Sequence, residues 1–345
     1  MVMGKQQFIK DLQEGERIDD LFLVKSSRLA ETRAGKAYIQ LTLMDKSGDI
    51  NGPVWDRAEE LFPHCSVGNF LRIQAMVQSY REQLQLKIDG MQPCSSDDVD
   101  LADFVPSCRK DREVLAKSLQ KLVASVDNPF LRKLLNRFLK KEPMWQRFQD
   151  APAAKGIHHA YLGGLLEHSL SVAQLADKIS GHYPGVDRSL LIAGALLHDI
   201  GKVEELQVEL AVIDYTPRGR LKGHLVMGSE MVAVEAARIK DFPVEILEQL
   251  QHLILSHHGT HEFASPAIPM TIEAFLLSFL DDLDAKMNLM EQLRMKMKDP
   301  GLHWTEYQRS LERFLYLSPL PDDEEQVKKK NNKNSEPAGR QQTLF

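Results

Sequence analysis

The segment Leu196-Leu197-His198-Asp199-Ile200-Gly201-Lys202 ends an apolar run in residues that can carry charge. The run from Leu190 to Leu197 is almost entirely apolar, which predicts a buried helix. It stops at a histidine, an aspartate and then a glycine. Because an unpaired buried carboxylate is costly, buried acids are usually paired or bound to a metal. The segment therefore predicts a cation beside Asp199.

The same pattern recurs along the chain. Apolar segments lead into His168, into His257-His258 and into Asp281, and His224 lies between them after Gly223. Imidazole together with carboxylate suits Zn, Mn, Fe or Ni better than Ca. A lone histidine such as His182 or His252 is interpreted as a hydrogen-bonded core residue. The larger set, by contrast, predicts a shared metal site.

The order His168, then His198-Asp199, then Asp281 resembles the defining pattern of the HD superfamily of metal-dependent phosphohydrolases. His224 and His257-His258 resemble the extra histidines by which binuclear members hold a second metal. Three further segments are similar to those of the YhaM-type 3′→5′ exoribonucleases: Gly163–Ser169, Lys222–His224 and Leu283–Met287. This resemblance implies a multidomain chain, with an all-β OB-fold barrel before an all-α HD domain.

The resemblance also implies two divalent ions, with manganese as the first candidate and iron, cobalt or magnesium as alternatives. Asp199 would bridge them. One ion would be completed by His168, His198 and Asp281, and the other by His224, His257 and His258.

The lysine after the His-Asp pair lies near substrate phosphate in related HD enzymes. Lys202 is therefore assigned to catalysis, together with Asp199, and Lys202 is also assigned to phosphate binding. A surface lysine that caps a helix end is the alternative. Arg218 and Arg220, on a predicted hairpin or loop within Val208–Arg220, are assigned to substrate phosphate.

Residues 14 to 95 predict short strands. Ile39, Leu41 and Leu43 alternate with polar positions, the period of a half-buried strand. A short helix is predicted over Arg57–Leu61. Several such strands with turn signals fit a small barrel.

OB-folds bind single strands on exposed aromatic and basic side chains. The candidates in this barrel are Tyr38, Trp55, Arg72, Tyr80 and Lys87. Trp55 could instead fill the barrel, an alternative that the sequence slightly favours.

We divide the chain into residues 1–95 as the barrel, 96–108 as a polar linker, 109–155 as a basic helical connector, and 156–320 as the HD domain. Between Arg109 and Asp150 the connector holds 11 Lys or Arg against 5 Asp or Glu, typical of a solvated helical face or of a surface that tracks a nucleic-acid backbone. Helices are expected almost throughout from Ala160 to Leu317.

Composition excludes some classes. The net charge of −6 argues against bulk electrostatic binding of duplex nucleic acid. No apolar run is long enough to span a bilayer, and the N-terminus lacks a signal-peptide core. A cytoplasmic protein without membrane association is expected. The three cysteines, Cys65, Cys94 and Cys108, lack metal-site spacing and are interpreted as buried free thiols.

Residues 321–345 have the composition of a disordered tail. The tail ends in Gln341-Gln342-Thr343-Leu344-Phe345, a Q-x-x-L-F string that resembles the peptide by which bacterial proteins dock on the DNA polymerase sliding clamp. Gln341, Leu344 and Phe345 would make that contact. A random, frayed end is the alternative.

These features predict a metal-dependent 3′→5′ exonuclease that acts on single-stranded nucleic acid, RNA in preference to DNA. The first alternative is an HD phosphohydrolase of nucleotides or cyclic dinucleotides. The second is a non-catalytic nucleic-acid-binding adaptor. The sequence leaves the oligomeric state open.

Overall fold

The computed structural model describes residues 4–32, 35–80, 83–100, 103–105, 107–155, 159–209, 212–263, 265–297 and 301–320. Their contacts form two units, one ending at Asp284 and the other beginning at Ala285. Within the described ranges, no helix is long and apolar enough to cross a membrane.

The N-terminal part is a closed five-stranded barrel. Its strands are β1 (Arg17–Glu31), β2 (Ala37–Asp45), β3 (Gly48–Asn51), β4 (Phe70–Tyr80) and β5 (Gln83–Cys94). They hydrogen-bond in the order β1-β2-β3-β5-β4, and only the β3–β5 pair is parallel. Ile39, Leu41 and Leu43 point inward and are buried, as their alternation predicts. The predicted barrel is confirmed.

A short helix, α1 (Ala58–Leu61), lies between β3 and β4. It coincides with the helical insertion predicted over Arg57–Leu61. Ala58 packs into the barrel core and so ties the connection between these strands to the interior.

The segment after β5 packs against the outside of the barrel. Phe104 is fully buried, and its ring meets that of Phe70 edge-on at 5.0 Å. Val99 and Val105 complete the same apolar cluster, and Leu162 from the helical part packs against it. The prediction of a polar linker rested on Ser95-Ser96-Asp97-Asp98 and did not take account of the apolar residues Val99, Phe104 and Val105 in the same stretch.

In the first unit, the described residues of the helical part form helices apart from one hairpin, as predicted. Its helices in the first unit are α2 (Arg112–Ala124), α3 (Pro129–Leu139), α4 (Met144–Asp150), α5 (Gly164–Ser180), α6 (Arg188–Leu197), α7 (Lys202–Glu205), α8 (Pro217–Ala237), α9 (Val244–Ser256) and α10 (Ile272–Lys296), the last continuing into the second unit. One apolar core joins α2–α4 to α5, α6, α9 and α10. The basic connector thus shares its core with the helices that follow it.

Two local predictions need correction. The hairpin consists of β6 (Leu206–Glu209) and β7 (Val212–Tyr215), but Thr216 then caps α8, so Pro217–Arg220 is helical rather than a loop. Proline at the first helical position explains this, because its missing N–H costs nothing there. The predicted helix to Leu317 is also wrong. Residues 301–320 contain a two-stranded pair, β8 (His303–Trp304) and β9 (Tyr316–Leu317).

Candidate metal centre

Two helices bring the first predicted ligands together. His168 lies in the second turn of α5, and His198 directly follows α6. Both side chains are buried, and their Nε2 atoms are 3.1 Å apart. Asp199 Oδ2 lies 3.3 Å from Nε2 of His198 and 3.6 Å from Nε2 of His168. The His-Asp pair therefore faces the first histidine across the contact between α5 and α6.

His224 reaches the same pocket because two backbones approach closely. A Cβ atom on Gly201 would lie 2.1 Å from the carbonyl oxygen of His224, so only glycine fits there. Gly223, with φ 71°, interrupts α8 just before His224. The backbone N–H of His224 then donates to Glu205 Oε1 at 3.0 Å. This places His224 Nε2 3.5 Å from Asp199 Oδ1.

The remaining predicted ligands come from α9 and α10. His257 follows α9, and its Nε2 lies 3.6 Å from Asp199 Oδ1. Asp281 Oδ1, on α10, lies 3.1 Å from Nε2 of His168. His258 forms a cluster with His224 and His257 whose ligand atoms lie within 4.8 Å of one another. The structure thus brings the seven predicted ligand residues together, with His258 joined to Asp199 through His224 and His257.

Backbone carbonyls orient two of the histidines. His198 Nδ1 donates to the carbonyl oxygen of Ala195 at 2.9 Å, and His257 Nδ1 donates to that of Ile254 at 2.8 Å. Because a carbonyl oxygen only accepts, the ring proton resides on Nδ1 in the neutral form of each ring. Nε2 then presents a lone pair to the pocket, as a metal-binding histidine does.

Carboxylates orient two others. Asp284 Oδ2 lies 2.8 Å from His168 Nδ1, and Glu205 Oε2 lies 3.0 Å from His224 Nδ1. Sequence reasoning assigned no role to either acid. A signal was available, since Asp284 follows Asp281 by three residues on α10, a spacing that shares a helix face. Glu205 likewise follows Lys202 by three residues, so these two side chains are also expected on one face of a helix.

His159 was also missed. Its side chain is buried, and its Nε2 lies 3.2 Å from Asp284 Oδ2. Its Nδ1 contacts the hydroxyl of Tyr161, which donates to Glu167 at 2.6 Å. The sequence interpretation treated His158-His159 as a possible helix-start feature, although His159 precedes His168 by only nine residues. No local pattern indicated that His159 reaches across to α10.

The polar atoms of the pocket fit a cation better than they fit one another. Asp199 Oδ1 and His224 Nε2 are buried, and neither has a hydrogen-bond partner within the part of the chain that the structure describes. In neutral His168 and His198, the two Nε2 atoms are acceptors only 3.1 Å apart. Buried polar atoms are normally satisfied. Imidazole and carboxylate donors that converge in this way can bind a divalent transition metal.

The acids of the pocket stay ionised. Burial would raise the pKa of Asp199, but Lys202 and His198 outweigh it and hold that pKa well below its usual range. Burial would also raise the pKa of Asp281, but the hydrogen bond with His168 outweighs it and lowers that pKa below its usual range. Two ionised carboxylates therefore share one buried pocket.

The histidines respond to these carboxylates unequally. Burial lowers the pKa of His168, but contacts with Asp281 and Asp284 overcome it and raise the pKa to about 10. Burial lowers the pKa of His257 well below its usual value. The pocket thus draws one proton to His168 and keeps His257 neutral. A bound cation would take over the role of that proton.

Lys202 is part of the pocket. Its Nζ donates to Asp199 Oδ2 at 2.6 Å, and its side chain is largely buried. Burial would lower the pKa of Lys202, but Asp199 raises it, so the ammonium stays charged. The alternative of an exposed lysine capping a helix end does not fit this placement.

The two predicted phosphate-binding arginines lie in the first turn of α8, not on a loop. Arg218 is held between Glu204 and Glu230, at 3.6 Å from each. Arg220 contacts Asp214 at 3.0 Å and the ring of Tyr215. Both guanidinium groups are exposed and paired with acids.

On the barrel, Tyr38 and Trp55 form a stacked pair. Their ring centroids are 4.7 Å apart with an interplanar angle of 16°. Trp55 is 49% exposed, so the favoured expectation that it fills the barrel is wrong. The isolated bridge between Ile39 and Val54 explains this, because Val54 turns inward and its neighbour Trp55 turns outward.

The other predicted nucleic-acid-binding residues of the barrel do not form a single cluster of the kind that Tyr38 and Trp55 form. Arg72 Nε pairs with Asp19 at 2.6 Å on the outer face of β1 and β4. Tyr80 ends β4 and is exposed, and Lys87 is exposed on β5. Gln341, Leu344 and Phe345 lie outside the described residues.

The HD domain family model matches residues 165–286. The 3′-5′ exoribonuclease YhaM of Bacillus subtilis (strain 168) is 36% identical over 308 residues, which cover 88% of this chain and 96% of that protein. The 3′-5′ exoribonuclease YhaM of Geobacillus sp. (strain WCH70) is 35% identical over 308 residues, which cover 89% of this chain and 93% of that protein.

One solved structure resembles the barrel weakly. It is the second OB-fold domain of replication protein A from Methanococcus maripaludis, at 17% identity and a TM-score of 0.21, covering 26% of this chain and 94% of that chain. A likeness this weak adds nothing to the strand order described above.

Proposed function

The chain belongs to the family of YhaM 3′-5′ exoribonucleases, and we propose on that premise that the pocket around Asp199 removes nucleotides from the 3′ end of single-stranded RNA. The chain is a metal-dependent 3′-5′ exonuclease with an HD domain. The observation that carries the proposal is the convergence of two buried acceptor atoms, Asp199 Oδ1 and His224 Nε2, which have no hydrogen-bond partner among the described residues.

We assign the pocket to two divalent ions. His168, His198 and Asp281 would hold one, and His224, His257 and His258 the other, with Asp199 shared between them. Manganese is the first candidate and iron, cobalt or magnesium are alternatives, because the donors are imidazole nitrogen and carboxylate oxygen. Ions bound there would lower the pKa of a water molecule and neutralise charge on phosphate oxygens.

The residues of the chain itself do the positioning. Lys202 is a charged donor at the pocket, so it can hold a phosphate oxygen or give a proton to the departing 3′ oxygen. Glu205 and Asp284 keep the Nε2 atoms of His224 and His168 aimed inward. Arg218 and Arg220 would contact the strand only by exchanging their present acidic partners for phosphate.

We propose that the barrel holds the strand. The exposed stack of Tyr38 and Trp55 offers a flat apolar surface on which a base can pack, and such stacking contributes about 1–3 kcal/mol per base. Arg72, Tyr80 and Lys87 are the further candidates on the same barrel. Arg72 is the weakest of them, because Asp19 already occupies its guanidinium.

The test uses 5′-labelled RNA, single-stranded DNA and small nucleotides with the manganese-loaded full chain. We expect a ladder of shortened RNA that a 3′-terminal phosphate slows. His198→Ala should abolish the ladder. His182→Ala should not, because His182 is exposed rather than the core residue that the sequence predicted. Hydrolysis of nucleotides alone, or binding without cleavage, would contradict the proposal and support one of the two alternatives.

Three further assignments stay proposals. The chain would act in the cytoplasm. Its domain boundaries would fall near residues 95, 108 and 155, which limited proteolysis can locate. Gln341, Leu344 and Phe345 would dock the tail on a DNA polymerase sliding clamp. Removal of Gln341–Phe345 should then abolish retention on immobilised clamp, and unchanged retention would rule the docking out.

A further inference from the structure

The outward face of α10 is apolar over three turns. Between Ile272 and Leu283 five residues are exposed, and four of them are large and apolar: Ile272, Phe275, Phe279 and Leu283. We call these four side chains the α10 ridge. The opposite face of the same segment buries Ala274, Leu277 and Leu280 in the core. A helix that is apolar on both faces is typical of one that is covered on both faces.

The spacing of the ridge suits a particular kind of contact. Phe275, Phe279 and Leu283 recur at intervals of four residues, so they form a continuous row along the helix. Rows of this type on two helices interdigitate at a crossing angle of about −50°, the commonest class of helix packing. One α10 ridge is therefore complementary in shape to another.

The size of the surface also suits a second copy. Phe279 is 69% exposed and Phe275 is 53% exposed. The four side chains together present roughly 400 Å² of apolar surface, near the largest patch that ordinary monomers leave uncovered. Two ridges would contribute roughly 800 Å² to an interface, and specific interfaces bury about 1,200–2,000 Å² in total. The ridge would be the apolar centre, and the surrounding polar surface would form the rim.

The charge of this face argues against nucleic acid as its occupant. The fifth exposed residue of the segment is Asp282, and no Lys or Arg occurs between Ile272 and Leu283. A surface that binds a phosphate backbone needs cations. A surface between protein subunits is typically apolar and depleted of charge at its centre.

We propose that the α10 ridge is the contact between two copies of this chain, related by a two-fold axis near Phe279. Such an interface is formed by the same surface on both copies. The other side of α10 presents Asp281 and Asp284 to the metal pocket, so the contact braces the helix that carries these carboxylates.

Sedimentation of the full chain over a wide range of concentrations tests the proposal. We expect twice the chain mass of 39.2 kDa for the native protein and the single-chain mass for Phe279→Glu. The matched control is Val244→Glu, at a residue 65% exposed in the first turn of α9, which should stay dimeric. Circular dichroism and metal content verify that Phe279→Glu is folded.

A second measurement covers the case in which Phe279→Glu does not fold. Phe279→Cys should form a disulfide between two chains under mild oxidation, because a residue near a two-fold axis meets its own copy. The native chain should not. A native monomer would overturn the proposal, and so would a dimer that survives Phe279→Glu. Loss of the dimer on removal of residues 321–345, with Phe279→Glu still dimeric, would assign the contact to the tail instead.

Discussion

Lys5 in the barrel and Asp199 in the helical part are both buried charges, and they differ in what surrounds them. Lys5 Nζ donates to the carbonyl oxygen of Leu21 at 2.6 Å and lies 3.5 Å from Asp45 Oδ2. It also lies over the ring of Phe22. The barrel thus supplies both signs of charge from its own chain.

The metal pocket also holds both signs of charge, with Lys202 beside Asp199, but its polar atoms are not all satisfied. Among the described residues, Asp199 Oδ1 and His224 Nε2 are buried with no hydrogen-bond partner. A buried cluster that is complete in itself is structural, whereas an incomplete one has room for a ligand.

The largest effect is expected at the centre of the incomplete cluster. Asp199→Asn keeps the shape but removes the shared charge, so we expect exonuclease turnover to fall on the order of 10⁴-fold. The unfolding temperature should also stop rising when manganese is added, because that rise reflects binding to the folded state. Asp127→Asn, at an exposed position on the connector, is the matched control. Retained metal response in Asp199→Asn would contradict the two-ion assignment.

Breaking the complete cluster should cost stability and leave chemistry alone. Lys5→Met removes the cation from between Asp20 and Asp45, and breaking a buried ion pair costs about 3–5 kcal/mol. Urea unfolding with and without manganese should show the same loss. Lys25→Met, which breaks an exposed pair with Asp49, should cost about 0–1 kcal/mol. Equal losses in the two variants would mean that burial of Lys5 is energetically unimportant.

The metal pocket also depends on the close approach of the backbones at Gly201 and His224. Gly201→Ala would force a Cβ into the carbonyl oxygen of His224, so we expect a loss of about 3 kcal/mol in stability. The metal content should fall from two ions to one, because His224 moves. Gly181→Ala, with no atom nearer than 3.8 Å, is the control. Unchanged metal content in Gly201→Ala would show that His224 is not a ligand.

Orientation of a ligand should matter less than the ligand itself. Glu205→Ala frees the ring of His224, and loss of such a partner typically costs about 10–100-fold in metal affinity. Glu205→Gln keeps an acceptor oxygen and should restore part of that loss. Calorimetric titration with manganese measures both. Identical affinities for the native chain and Glu205→Ala would remove the positioning role.

The smallest effect concerns two thiols, one in each part of the molecule. Burial raises the pKa of Cys65 in the barrel to about 11, and burial together with Glu167 raises the pKa of Cys108 to about 12. Because the thiolate is the reactive form, alkylation by iodoacetamide at pH 8 should be slow at both positions. The rate should rise about tenfold per pH unit until the pKa is reached. Mass spectrometry of the labelled peptides checks this.

The sequence was most informative where the pattern was local. The alternation at Ile39–Leu43 indicated a strand, and the apolar run before His198 indicated a helix that ends at the site. Such periodicities of apolar residues were enough to predict the barrel and the all-α class of the second domain. The meeting of seven ligand residues was inferred from their order along the chain, through the family resemblance.

What the sequence did not reveal depends on distant contacts. The approach of Gly201 to His224 is set by the packing of α7 against α8, and no local pattern encodes it. The same holds for Phe104, whose partner Phe70 lies on the barrel. His159 meets Asp284 from far away in the chain. Side-chain polarity alone cannot identify which acid a histidine will contact.

The packing of Phe104 has a practical consequence for dissecting the molecule. Leu21, Leu23 and Phe70 lie on the outside of the barrel, and the stretch around Phe104 covers them. A fragment that ends at residue 95 would expose this apolar surface to solvent and should aggregate at high concentration. Anyone who wants the barrel alone should therefore keep the chain through Val105.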